Sequence, residues 1–217
     1  YIGDCAQFPD LTESVNEGEY LVPRLKRDQR RTAIEGPIKV AGGEIAPRLT
    51  QKLLNDFGND PDQLPILQHT LMRMWDKWFE NRAPDDPLDL KHYEKIGGME
   101  GALSQHADEV LLESKSDAEK QATQKLFQAL TERGGDNRGI RRPTRLDDLC
   151  NIVGVQSDLL KVVVERFRKP GRTFLMPPVE VPLDSDTVID ISHESLMRVW
   201  KNLSRWVETE SQSARIF

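Results

Sequence analysis

From residue 116 onward the chain runs through three helical stretches, two short strands and a long last helix, and that order admits few folds. Ser116 and Glu119 form an S-x-x-E capping box, opening a helix expected to reach about Arg133 before Gly134-Gly135. A short helix is expected over Thr144–Val153, stopped by Gly154. A third is expected over Ser157–Arg168, with Leu159, Leu160, Val163, Val164 and Phe167 inside. After Pro170-Gly171 a strand is expected over Thr173–Met176. A proline-rich loop then leads to a second strand, Thr187–Ile191. Three helices followed by a two-stranded wing is the layout of a winged-helix domain.

The second strand runs directly into the last helix in TVIDISHESLMRVW, residues 187–200. Leu196, Val199, Trp200, Leu203 and Val207 recur at helical spacing, so one helix is expected from near Ser192, a natural N-cap. His193 would then lie in the first turn, beside free backbone N–H groups and the positive end of the dipole. That place suits an anion, phosphate included. A neutral imidazole can donate a hydrogen bond to it without carrying a full charge. Taken alone, the residue also fits a plain capping or packing role.

Before residue 116 the pattern is nearly all helical. Tyr20–Leu25 is a short strand candidate weakened by Pro23. A helix over Arg27–Glu35 is expected to end at Gly36-Pro37. Pro47 suits the first position of a helix whose apolar face is Leu49, Leu53, Leu54 and Phe57. Leu64, Leu67, Leu71, Met74, Trp75 and Trp78 form a strong stripe, with regular helix expected from Pro65. Short and longer helices are expected over Asp89–Ile96 and Met99–Leu112, separated by Gly97-Gly98. The fold expected is mainly α. Its parts are a tail at 1–25, a helical domain at 26–115 and a winged helix at 116–217.

Composition narrows the function classes. The 217 residues are 37% hydrophobic and 30% charged, with a formal net charge of −6. This is a globular balance with no global basic field for nucleic acid. No apolar run approaches a membrane span, so no membrane partner is expected. Cys5 and Cys150 have no C-x-x-C spacing and read as reduced thiols, which suggests a cytoplasmic chain. The first residue is Tyr1 rather than Met, so a fragment of a longer protein is expected. No phosphate-gripping G-x-x-x-x-G-K-[ST], no G-x-S-x-G and no H-E-x-x-H occurs. His69, His92 and His106 lack metal-ligand spacing. Autonomous catalysis is therefore not expected, and neither is a metal site. A DNA-binding winged-helix regulator is the alternative reading, with helix 157–168 in a major groove. Lys161, Arg166, Arg168, Lys169 and Arg172, and Arg138, Arg141, Arg142 and Arg145, would supply its positive charge. A third reading is a purely structural adaptor. Trp75, Trp78, Trp200 and Trp206 read as core or interface residues.

Several stretches together resemble one family. They are GDCAQF (3–8), YLVPRLKRDQRRTAIEGP (20–37), PDQLPILQHTLMRMW (61–75), IGGMEGAL (96–103), GIRRPTRL (139–146) and ISHESLMRVW (191–200). In order, and over almost the whole chain, they resemble the "novel STAND NTPase" group of bacterial signalling switches, often found before WD40 repeats. The resemblance implies three parts around a nucleotide: a P-loop α/β domain, a helical AAA-type lid and a winged helix. Residues 1–25 would be the tail of the first, 26–115 the lid and 116–217 the winged helix. The P-loop itself would lie upstream of Tyr1. The implied cofactor is ADP or ATP, with Mg held by the P-loop domain. The implied partners are that domain and C-terminal repeats of the same parent chain, with homo-oligomers in the active state. Two residues carry over. QLPIL aligns with the Gly-Leu-Pro-Leu motif whose proline, here Pro65, packs near adenine; Gln63 stands where that motif has glycine. ISHE aligns with the winged-helix histidine, here His193, that contacts the β-phosphate of ADP in the closed state.

Overall fold

The computed structural model describes residues 17–18, 25–58, 63–83, 86–133 and 139–216. The strand candidate at 20–25 and the tail at 1–25 lie almost wholly outside them. Among the described residues there are ten helices and five short strands. No helix there is long and apolar enough to cross a membrane.

The first half packs five helices. Helix α1 (Arg27–Val40) runs five residues past the expected stop, with Pro37 inside it. Packing overrides the proline here. Ile34 and Ile38, one turn apart on one face, are both buried, and extending the helix buries the second. Helix α2 (Pro47–Asp56) starts on Pro47 as expected and buries Leu49, Leu53 and Leu54. Helix α3 (Gln63–Asn81) begins two residues before the expected start, so Pro65 sits inside its first turn. A proline is tolerated there because the N–H it lacks has no intrahelical partner to lose. Helix α4 (Leu90–Lys95) is capped by Asp89, whose carboxylate accepts from the Leu90 N–H (2.7 Å). Helix α5 (Gly98–Leu112) closes this half.

The second half begins with α6 (Asp117–Ala129). Ser116 caps it, Oγ accepting from the Glu119 N–H (3.2 Å). The helix stops four residues short of the expected Arg133. Thr131–Arg133 is instead a strand, β1, paired antiparallel with β2 (Gly139–Arg141). Thr144–Arg145, expected as helix, is β3; helix α7 (Leu146–Val153) follows and ends on Gly154, whose φ of 74° the missing Cβ permits. Helix α8 spans Ser157–Arg168, as expected. The two expected strands are β4 (Leu175–Met176) and β5 (Val188–Ile191), paired antiparallel, and β3 adds to the other edge of β5.

The expected single last helix is two. Helix α9 (Glu194–Val199) and helix α10 (Lys201–Ile216) meet at Trp200, which adopts extended backbone (φ −76°, ψ 102°). The break is anchored from α5. Trp200 Nε1 and Asn202 Nδ2 both donate to Asp108 (2.6 and 2.8 Å), and the Lys201 N–H reaches Ser104 Oγ (3.3 Å).

Two buried clusters result. One joins α1–α4 and the start of α5, including Ile34, Leu53, Met74, Trp78, Tyr93 and Met99. The other joins the rest of α5 to everything after it, including Leu103, Val110, Phe127, Leu149, Phe167, Phe174 and Trp200. They meet along α5, where Ala102 belongs to the first and Leu103 to the second. Val199 packs against both.

Candidate functional site between the two cores

The two residues singled out above, Pro65 and His193, line one cavity of about 170 Å³. They reach it from opposite sides of the junction between the cores. Helix α3 supplies Pro65, Gln68, His69 and Met72, and α5 supplies Leu103. The turn after α8 supplies Arg172, Thr173 and Phe174, and the β5–α9 junction supplies Ser192, His193 and Leu196. Pro65 also edges an apolar groove of about 590 Å³ formed with α1.

Ser192 is not the helix cap. Its N–H donates to the Phe174 carbonyl (3.0 Å), carrying the β4–β5 pairing one residue further. His193 is thereby moved from the first turn to the N-cap itself, with extended backbone (φ −141°, ψ 135°). Its side chain caps nothing and its ring is exposed. Partial desolvation first, and the nearby Arg141 guanidinium second, push the imidazole below its ordinary pKa. His193 is therefore neutral at neutral pH, with one N–H to donate. Arg141 is itself held by Asp190 (2.7 Å) and the Ile191 carbonyl (3.3 Å).

Thr173 has a φ of 46°, left-handed backbone that a β-branched residue rarely adopts. The turn holds it there. Arg172 and Thr173 N–H both donate to the Lys169 carbonyl (3.0 and 3.3 Å), and the Phe174 N–H donates to the Phe167 carbonyl (2.9 Å). Strained residues of this kind concentrate at functional sites. Arg172 is drawn along the wall by Glu113, which accepts from both of its terminal nitrogens (2.9 and 2.5 Å).

His69, part of that wall, pairs with His106 behind it. His69 Nε2 and His106 Nδ1 are 3.1 Å apart, and both rings are buried. Phe174 packs against both, with ring centroids 5.5 Å from His69 and 5.2 Å from His106. Burial first, then the Arg73 charge, lowers the His69 pKa to about 4 and the His106 pKa to about 3. Spacing gave half of the signal, since His69 lies one helical turn after Pro65. The contact with His106 is tertiary. No group of three or more metal-ligating residues occurs among the described residues.

Arg138 lies outside the described residues; of the other basic residues available to DNA, Arg141, Arg145, Arg166, Arg168 and Arg172 are engaged with carboxylates. Arg166 is buried and donates to Glu119 and to Ser114 Oγ (3.1 Å). Arg168 is buried, pairs with Glu165 and donates to the carbonyls of Pro177, Pro178 and Val181. Arg145 pairs with Asp148 and Asp186. The open face of α8 carries Asp158, Lys161, Val162 and Glu165, with no excess of positive charge.

The five-helix half thus meets a three-stranded, helix-flanked half at a cavity lined by both polar and apolar side chains. The family model "Novel STAND NTPase 1" matches residues 1–217, and the chain belongs to that family. No curated protein and no solved structure matches it. Membership makes this a domain related to nucleotide-dependent signalling NTPases.

Proposed function

We propose that this chain is the lid and winged-helix portion of an ATP/ADP signalling switch, and that the cavity between its cores reads the nucleotide state. The observation that carries the reading is that Pro65 and His193, far apart in sequence and attached to different cores, line the same cavity. The layout α6, β3, α7, α8, β4, β5 is compatible with a winged helix, and α1–α5 with a helical lid. The chemistry of the cavity fits one edge of a nucleotide. Pro65 offers an apolar face for a base, Gln68 an amide, and His193 a neutral N–H donor for a phosphate. A cavity of about 170 Å³ without a glycine-rich loop leaves the other phosphate contacts, and Mg, to a P-loop domain of the parent. Hydrolysis belongs to that domain rather than to this chain.

In this reading ADP in the parent holds lid and winged helix together, and exchange for ATP releases the winged helix. Contacts that differ between two states shift the equilibrium between them. The parent is cytoplasmic, carries repeats of the WD40 kind after this chain, and assembles with its own copies when active. Its output does not run through DNA. A duplex is expected to bind weakly and without sequence preference; a dissociation constant below about 10⁻⁷ M at physiological salt would mark a specific binder and contradict this.

Pro65→Ala in the full-length protein tests the base-facing role. Losing two ring methylenes from contact is expected to weaken ADP and ATP equally, roughly fivefold to fifteenfold. Folding should change by less than about 1 kcal/mol, because a first-turn proline contributes no hydrogen bond. Unchanged nucleotide affinity with a large stability loss would make Pro65 a helix-start residue alone.

A further inference from the structure

The cavity wall is sealed from inside by two imidazoles and one aromatic ring. His69 belongs to α3 in the first core. His106 lies on the part of α5 that faces the second, beside Ala107, and Phe174 belongs to the second core. The 3.1 Å contact joins a single ring nitrogen of each histidine, so one must donate and the other accept. A proton added to the accepting ring would turn N–H toward N–H, and so would full protonation of the pair; one added to the far nitrogen of the donor ring keeps the bond but still charges a buried ring. Either way the charge falls on a buried ring close to three cations, Arg73 and Lys77 on α3 and Arg172 on the turn after α8; the neutral His193 at the start of α9 offers no compensating charge. Glu109 and Glu113 on α5 face the same region, but each is engaged, with Arg73 and Arg172 respectively. Neither carboxylate is left to neutralise an imidazolium.

We propose that the His69–His106 pair is a proton-sensitive latch: the closed arrangement of the two cores requires both imidazoles to be neutral, and opening takes up protons. The inference rests on the reading that these cores separate, but not on what nucleotide does to them. Lifting Phe174 wets both rings and returns them to the ordinary histidine range near pH 6.5. The closed pKa values are the lowered ones, about 4 and about 3. The latch is therefore fully effective above pH 6.5 and weakens as pH falls below it, down to the closed-state values.

The test is amide hydrogen exchange on the nucleotide-free full-length protein at pH 7.0 and 5.5, corrected for intrinsic exchange. Two imidazoles returning to pKa 6.5 give an expected rise of about 70-fold in opening at residues 172–176. Peptides from α2 and α7, deep in each core, should stay protected. The double substitution His69→Gln with His106→Asn should abolish the pH dependence at 172–176. No rise in the wild type, an equal rise in the double variant, or a rise shared by α2 and α7 overturns the latch. Should the double variant fail to fold, imidazole NMR of the wild type decides. Both rings should stay neutral until the Phe174 ring resonances move, and titration near pH 6.5 with Phe174 unmoved overturns the proposal. Insensitivity of the opening to ADP, with the pH response intact, would instead count against the nucleotide reading.

Discussion

Trp200→Ala is expected to lower the stability of the second core by about 3–5 kcal/mol, the usual cost of deleting a fully buried indole. For a chain of this size that is a fall in Tm of roughly 10 °C. Trp200 is completely buried, packed edge-on against Phe127 (4.9 Å) and Trp206 (5.3 Å), and its N–H is bonded to Asp108. It is also the point where α9 turns into α10, so the loss should spread to the placement of His193. Trp200→Phe keeps most of the apolar contact and gives up the Asp108 bond, which Asn202 still partly satisfies; about 1–2 kcal/mol is expected. Thermal or urea unfolding monitored by near-ultraviolet circular dichroism checks both. Equal, small losses for the two variants would show that the indole is not the pin between the helices.

His193→Ala is expected to leave the fold intact while weakening ADP. The side chain makes no cap bond, and Leu196, the first buried residue of the α9 apolar face, is untouched. One hydrogen bond to a charged phosphate is worth about 1.5–3 kcal/mol, so ADP affinity in the full-length protein should fall roughly 10- to 150-fold. ATP binding to an open arrangement should suffer less, and basal signalling should rise. Calorimetric titration of both nucleotides on wild type and variant checks this. Equal losses, or none, would return His193 to a surface role.

Much of the helical layout was legible because periodicity and punctuation agreed. Ser157–Arg168 has its stripe, its basic last turn and Pro170 beyond it, and its bounds are as expected. Pro47 marks the start of α2 for the same reason. Where tertiary contacts outweighed local signals, reading failed. The period of 3.6 runs unbroken through Leu196, Trp200 and Leu203, yet the backbone breaks at Trp200 because Asp108 and Ser104, far earlier in the chain, hold it. Thr131–Arg133 is too short to show alternation, and only its partner at Gly139–Arg141 makes it a strand. Ser192 looked like a cap, but its N–H is committed to Phe174. At the site, Pro65 came from a family resemblance and His193 from its strand–helix junction as well as that resemblance; that they share one cavity came from neither. For the His69–His106 contact, spacing puts His69 one turn after Pro65, but nothing local brings in His106, since neither helix shows the other's position.

The central claim is that the two cores change their relation with the nucleotide bound. Its most direct measurement is a distance distribution between spin labels at Val40 and Ile152, exposed positions on α1 and α7, in the full-length protein with Cys5 and Cys150 replaced by serine. With ADP, one narrow distribution matching the closed arrangement is expected. With a non-hydrolysable ATP analogue, a second, longer population should appear, and in His193→Ala it should appear even with ADP. The same narrow distribution under all three conditions would contradict the switch.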